Sequence, residues 1–396
     1  GPSYTYTPDG KLVTRTWARG VVTTYTYDTD GSLTGIAYSD ETPNVRFSYD
    51  RNDNMLSAVT EGVAECLFAY DKFGQCTNEI QNGESVARFY DGYGRASGYR
   101  YYGADGALRM ECASAYDNLG RLSSLTAGTN AFYYSYQEGS DTINGVYGNG
   151  FSRELSFESQ RDLLAAVTNR FGSRVISAFD YTNDDGARRT AIKRSGEAFG
   201  CLSGAVDHYA YNERSELIAA GKSNGVGEIR GFSEAFDYDA AGNRLSSSVY
   251  DEDGAVVDTV YVANNLNQYI SRTIPGIATV RGFAERASDV TVNENESWRY
   301  DEYFYGTAQF DNTNSNLVAD IETMAVGQLQ EENISGVSAV TNTVFIAKTP
   351  DEPQYDADGN QTKVATKTGV WQVSYNGENR QVGIFLNGEI VEYLCE

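Results

Sequence analysis

One short word recurs along this chain and constrains its fold more than any other feature. Tyr-Asp-x-x-Gly appears at Tyr27-Asp28 with Gly31, Tyr70-Asp71 with Gly74, Tyr90-Asp91 with Gly94, and Tyr116-Asp117 with Gly120. It returns at Tyr238-Asp239 with Gly242 and at Tyr355-Asp356 with Gly359. Weaker copies keep the aromatic residue and vary the turn, at Tyr6, Tyr49, Tyr136, Phe157, Tyr181, Tyr211, Tyr261 and Tyr375. From Tyr6 to Tyr181 the anchors are 21, 22, 21, 20, 26, 20, 21 and 24 residues apart. Such a period is too long for one strand and too short for a strand-helix-strand unit. It fits two strands of about six residues joined by two tight turns. Each unit is expected to be one β-hairpin, and the fold an all-β array of antiparallel hairpins.

The local chemistry agrees. Asp directly after a strand can cap a turn with its carboxylate, and Gly three residues later supplies the positive φ that ends it. The residues that follow, Lys11-Leu12, Ser32-Leu33 and Arg121-Leu122 among them, restart a strand with an apolar side chain at a fixed position. Tyrosines recurring once per hairpin should line up across strands as a ladder, each aromatic pair contributing roughly 0.2–1 kcal/mol.

Composition narrows the function classes. The chain has 31 Lys plus Arg against 55 Asp plus Glu, a formal charge of −24, which repels nucleic acid and anionic lipid. Thirty Tyr and 40 Gly with only six Pro suit strands and turns. No apolar run is long enough to cross a bilayer, so no membrane insertion is expected. Gly1-Pro2-Ser3 reads as the remnant of a cleaved tag (residues 1–3), so a natural N-terminus with any export signal is expected upstream. Cys66, Cys76, Cys112, Cys201 and Cys395 are scattered and form no C-x-x-C pair, which favours free thiols, with a Cys66–Cys76 bridge left open.

Two stretches depart from the pattern. Leu163, Leu164 and Val167 sit at helix-compatible spacing, yet Phe157 is in register with the ladder, which favours turn plus strand. Tyr355 follows Tyr261 by 94 positions with no clear anchor between them. Short apolar and polar runs there, Thr279-Val280-Arg281, Val290-Thr291-Val292-Asn293, Glu302-Tyr303-Phe304 and Ala319-Asp320-Ile321, suggest short strands of a small sandwich.

The repeated word, with Arg or Asn and then Leu after its Gly, resembles the YD repeats of bacterial Rhs proteins, of the Tc toxin cocoon subunits and of the teneurins. The closing stretch adds to the likeness: Tyr355-Asp356-Ala357-Asp358-Gly359-Asn360, then Trp371, Tyr375 and Glu378-Asn379-Arg380. Asn264-Asn265-Leu266-Asn267-Gln268-Tyr269 resembles a further Rhs word. The resemblance covers residues 4–275 and 350–396. It implies a sheet of hairpins spiralling into a shell, secreted or on the cell surface of a bacterium, that encloses a C-terminal toxin or other cargo polypeptide. The core motif that precedes the toxin in Rhs proteins is absent, so the chain is expected to be a fragment forming a partial shell. Residues 277–346 are similar to an Ig-like β-sandwich, with a plug of the shell as the alternative.

Catalytic chemistry finds little to work with. His208 is the one histidine, and no Gly-x-Ser-x-Gly elbow accompanies it. The carboxylate pairs Asp28/Asp30, Asp184/Asp185, Asp251/Asp253 and Asp356/Asp358 read as turn residues, since sequence sets none of them across a cleft. Two of them mimic the opening of a calcium loop without its closing Glu. Gly145-Val146-Tyr147-Gly148-Asn149-Gly150 lacks the Lys-Ser/Thr ending of a phosphate loop. Trp17, Trp298 and Trp371 could stack on sugars, but aromatic residues at this density serve a sheet. The expectation is a structural protein without catalytic residues, cofactor or metal. The competing reading is an extracellular adhesion or glycan-binding protein that uses the sheet as scaffold and residues 277–346 as the contact. An enzyme ranks third.

Overall fold

A computed structural model describes residues 1–250, 256–329 and 334–393; Cys395 and the Asp251/Asp253 pair lie outside them. Among the described residues the chain is almost entirely strand, with a single short 3-10 segment at Glu197–Leu202. The segment with helix-compatible spacing forms two strands, Phe151–Phe157 and Leu164–Phe171, around a turn.

Twenty-four strands form one sheet in which each strand pairs antiparallel with the next in sequence. Side chains alternate between its faces, as in Ala64–Tyr70, where Cys66, Phe68 and Tyr70 are half-buried while Glu65, Leu67 and Ala69 are exposed. Register carries the anchor tyrosines to one face, along with Phe47, Phe68, Leu125, Phe132, Val167 and Phe236. The opposite face mixes polar pairs such as Ser48–Ser57 and Arg100–Glu111 with exposed apolar side chains such as Leu67, Phe89 and Tyr133.

At almost every anchor the register slips by one residue, between Thr26 and Tyr27, Ser48 and Tyr49, Ala69 and Tyr70, Ala115 and Tyr116, and Asp237 and Tyr238. A β-bulge bends its strand and increases the local twist. These bulges recur along the Tyr-Asp edge, with further ones between Tyr101 and Tyr102 and between Asn169 and Arg170, and together they bend and twist the ribbon. Two anchors differ from the sequence expectation. The bulge beyond Tyr181 falls between Thr182 and Asn183, so the turn starts at Asn183-Asp184; beyond Tyr261 it falls between Val262 and Ala263.

The ribbon is a single layer. The accessible surface of the whole chain, 23368 Å², is about half as large again as the roughly 15,000 Å² of a compact protein of this mass. Conventional core lies mainly in the inserted segment, where a three-stranded sheet (Ile277–Phe283, Tyr303–Gln309, Trp298–Tyr300) and a four-stranded sheet (Asn295–Glu296, Asp289–Val292, Leu317–Leu329, Ile334–Ile346) enclose Val290, Val292, Phe304, Ala308 and Ile321. A second cluster packs Tyr303 and Tyr305 on Ala205 and Ile229 of the ribbon. Gly231 lets the Tyr305 ring approach, since a Cβ there would lie 2.5 Å from it. Burial pushes the Tyr303 hydroxyl up to about 12.

The insertion does not break the ribbon's path. Arg272 and Asp351 exchange two backbone hydrogen bonds of 2.9 Å and an ion pair of 2.9 Å. The five-stranded sheet from Gln354–Tyr355 to Glu389–Tyr393 continues from there.

The cysteines Cys66, Cys76, Cys112 and Cys201 are free. Register overturns the Cys66–Cys76 bridge: Cys66 faces Gln81 while Cys76 faces Tyr70, about four residues apart along the strands, well beyond disulfide reach.

Candidate functional site: the tyrosine–aspartate edge and the seam it makes

Each repeat word builds the same turn. The Oδ1 atom of Asp117 accepts from the backbone N–H of Leu119 and Arg121 at 2.9 Å each. Asp71 does the same for Phe73 and Gln75, Asp91 for Tyr93 and Arg95, Asp239 for Ala241 and Asn243, and Asp356 for Asp358 and Asn360. Asp28 takes three amides, from Asp30, Gly31 and Ser32. Gly120, like Gly31, Gly74, Gly94, Gly242 and Gly359, has positive φ, 84° in its own case, which a Cβ would strain. The second carboxylate oxygen binds the residue after the glycine: Arg95 at 2.7 Å, Arg121 at 2.8 Å, Asn243 at 2.8 Å and Asn360 at 2.8 Å. These bonds hold the carboxyls of Asp91, Asp117 and Asp184 below their ordinary 3.8, first through the backbone N–H of Arg95, Arg121 and Arg188. For Asp50 and Asp239 the first cause is the side-chain amide of Asn54 and Asn243.

The tyrosines link one hairpin to the previous one. The Tyr27 hydroxyl donates to Leu12 O at 2.9 Å, Tyr90 to Cys76 O at 2.8 Å, Tyr116 to Ala96 O at 2.7 Å, and Tyr136 to Leu122 O at 2.6 Å. Tyr238 reaches Leu217 O at 2.9 Å, and Tyr355 reaches Tyr269 O at 3.2 Å across the insertion. The ladder is therefore chiefly one of hydroxyl-to-carbonyl bonds; among the described residues ring-to-ring contacts between anchors, such as the tilted pair Tyr261–Tyr269 at 5.2 Å, are few. Arginine adds a second tie that the sequence reading did not single out. The guanidinium of Arg95 lies 4.3 Å from the Tyr116 ring centre, and that of Arg121 4.3 Å from Tyr136. Its signal was in the sequence, since the position after Gly is Arg95, Arg121, Asn243 or Asn360 in four of the six words, and these reach toward the next repeat; Ser32 and Gln75 fill it in the other two.

The edge has a second use at one place. The turn Trp17–Gly20 lies on the edge opposite the Tyr-Asp turns, and it meets the Tyr-Asp edge of the last hairpins. Trp17 Nε1 donates to Gly377 O at 2.6 Å, and the Ala18 N–H donates to Asp358 Oδ1 at 2.6 Å. Arg19 lies 3.1 Å from Asp358 and 3.6 Å from Asp356, and donates to the Asn376 carbonyl. Gly377 N donates to Thr42 Oγ1 at 2.7 Å, and Tyr38 donates to Glu378. Partners some 340 to 360 positions apart thus touch turn to turn without pairing strands. The ribbon comes round on itself as an open spiral, and this seam fixes where its edges meet.

The remaining candidates sit elsewhere. His208 Nε2 is 2.7 Å from Ser223 Oγ at an open hollow of about 420 Å³, while its neighbour Asp207 points to the other face and pairs with Lys222 and Arg194. Asp358 of one Asp-x-Asp pair is spent on Arg19, and Asp28 of the other on backbone amides. Trp298 packs on Tyr303, and Trp371 donates to Thr366 and Thr368. Among the described residues no three His, Cys, Asp or Glu side chains converge as metal ligands, and no helix is long and apolar enough to cross a membrane.

The family model for the teneurin YD-shell matches residues 3–214. A crystal structure of TcdB2-TccC3 aligns with 98% of this chain and 24% of its own, at 12% identity and a TM-score of 0.54, a likeness of fold alone. A Photorhabdus luminescens Tc holotoxin pore aligns with 97% of this chain and 25% of its own, at 11% identity and a TM-score of 0.38. The chain spans about a quarter of the length of these structures. No curated protein matches it by sequence.

Proposed function

The chain belongs to the teneurin YD-shell family, and from that premise we propose that it is a non-catalytic wall segment of a secreted or surface-exposed shell that encloses a polypeptide. The observation that carries this reading is the seam, which turns a one-layer ribbon into a wall around a space. Between its two touching points run some 25 strands. At about 4.8 Å each they give a circumference of about 120 Å, a diameter of about 40 Å, and a lumen of about 30 Å once side chains are allowed for. A folded domain of about 60 residues, with a radius of gyration near 10 Å and so a diameter of about 27 Å, would fit that space. The repeat chemistry also favours a wall over a catalyst, because its carboxylates and hydroxyls are consumed in turn caps and inter-hairpin bonds. The test fuses an unstructured, trypsin-labile polypeptide after the last residue of the full chain and follows its digestion. Slower cleavage than for the free polypeptide is expected. Equal rates with an intact ribbon would remove the cargo reading.

A further inference from the structure

The longest strand edge in the molecule is unguarded. Ile334–Ile346 pairs with Leu317–Leu329 over 13 residue pairs without a bulge and is the outermost strand of its sheet. Among the described residues no strand pairs with its other side. Residues 337–343 are exposed on both faces, Val337 at 66% and Val340 at 54%. From Ile334 to Ala347 there is no charged residue and no proline. Proteins ordinarily protect such edges with short length, charge, proline or a bulge. Two ends of other sheets follow that rule: Ser3–Tyr6 is four residues long, and Glu389 opens the strand Glu389–Tyr393.

We infer that this edge is a homodimerisation surface, on which a second copy of the chain adds the same strand antiparallel. What the edge lacks is a row of backbone partners, and only an extended strand supplies these. A second copy is the occupant the charge pattern selects. Each chain carries a formal charge of −24, so two copies repel over most of their surfaces. This neutral strand is where they can meet without opposing carboxylates. A two-fold axis at Val340 sets Val340 against itself, Ser338 against Asn342 and Val337 against Thr343, an isologous contact needing one surface only. Thirteen residues at about 3.4 Å each give a contact about 44 Å long, burying on the order of 1,000 Å² in total, the lower bound for a specific interface. The proposal does not depend on the cargo reading, because this hairpin lies outside the repeat ribbon.

Sedimentation equilibrium of the full chain tests it. A mass of twice 43.4 kDa is expected, with the dimer fraction rising as salt screens the repulsion. Amide exchange at residues 336–344 should slow as protein concentration increases. Val340→Lys, on an exposed side chain, should restore the monomer with its circular dichroism unchanged, while Val340→Thr should keep the dimer. A monomer at about 100 µM in 0.5 M salt, roughly the concentration a weak interface needs, overturns the proposal. So does a dimer that Val340→Lys leaves intact, or exchange protection that appears only when a different protein is added.

Discussion

At the residue scale each repeat is a small circuit of tyrosine hydroxyl, aspartate carboxylate and arginine or asparagine. Tyr136 donates to Leu122 O while Arg121 lies over its ring, so Tyr136→Phe isolates the hydroxyl from the stack. Loss of about 1 kcal/mol is expected in urea unfolding, the net worth of one such bond; an unchanged midpoint would show that water replaces the carbonyl contact. The carboxylates give a pH signature. Asp50, Asp91, Asp117, Asp184 and Asp239 have folded pKa values below 3.8. Their contribution is therefore complete above about pH 4 and is lost as pH falls through the lower folded values. Thermal scans should show stability falling from about pH 4 downward, and less steeply in Asp117→Asn.

At the element scale the unit is the bulged hairpin. Because neighbouring hairpins touch mainly each other, damage should remain local, as in other repeat proteins. Gly98 is a useful place to see this, since it sits where the register slips opposite Phe89 and a Cβ would lie 2.3 Å from Cys112 O. Gly98→Ala should cost about 2 kcal/mol or more. Hydrogen exchange should accelerate in Glu84–Tyr90, Ala96–Tyr102 and Leu108–Tyr116 and not in Ser233–Tyr238. Uniform acceleration along the chain would argue for one cooperative sheet.

At the scale of the whole molecule the seam decides shape. Arg19 and Asp358 are both largely buried where the edges meet, with side-chain exposures of 17% and 1%. Removing one partner leaves the other charge uncompensated. Arg19→Ala should therefore open the spiral, raising the radius of gyration in small-angle scattering while circular dichroism stays that of intact hairpins. Gly377→Leu should do the same by sterics, because a Cβ there already lies 2.9 Å from Tyr38. If both variants keep the native scattering curve, curvature comes from the bulges alone.

Much of the fold was legible because its cause is local. A Tyr-Asp-x-x-Gly turn needs only residues within five positions, so Asp117 could be read as a cap and Gly120 as a positive-φ residue before any strand was placed. The hairpin period and the all-β class follow from repeating that word. Small adjustments already lay beyond it: Tyr181 is two positions short of its turn because Asn183 takes the bulge. The seam was not legible at all. Trp17-Ala18-Arg19 belongs to no repeat word, and its partners Asp358 and Gly377 are some 340 to 360 residues away. Their meeting depends on the summed curvature of every bulge between them, which no local pattern records. Sequence alone determined the hairpin and its turn chemistry; the tertiary structure decided how far the ribbon curls and which edge meets which.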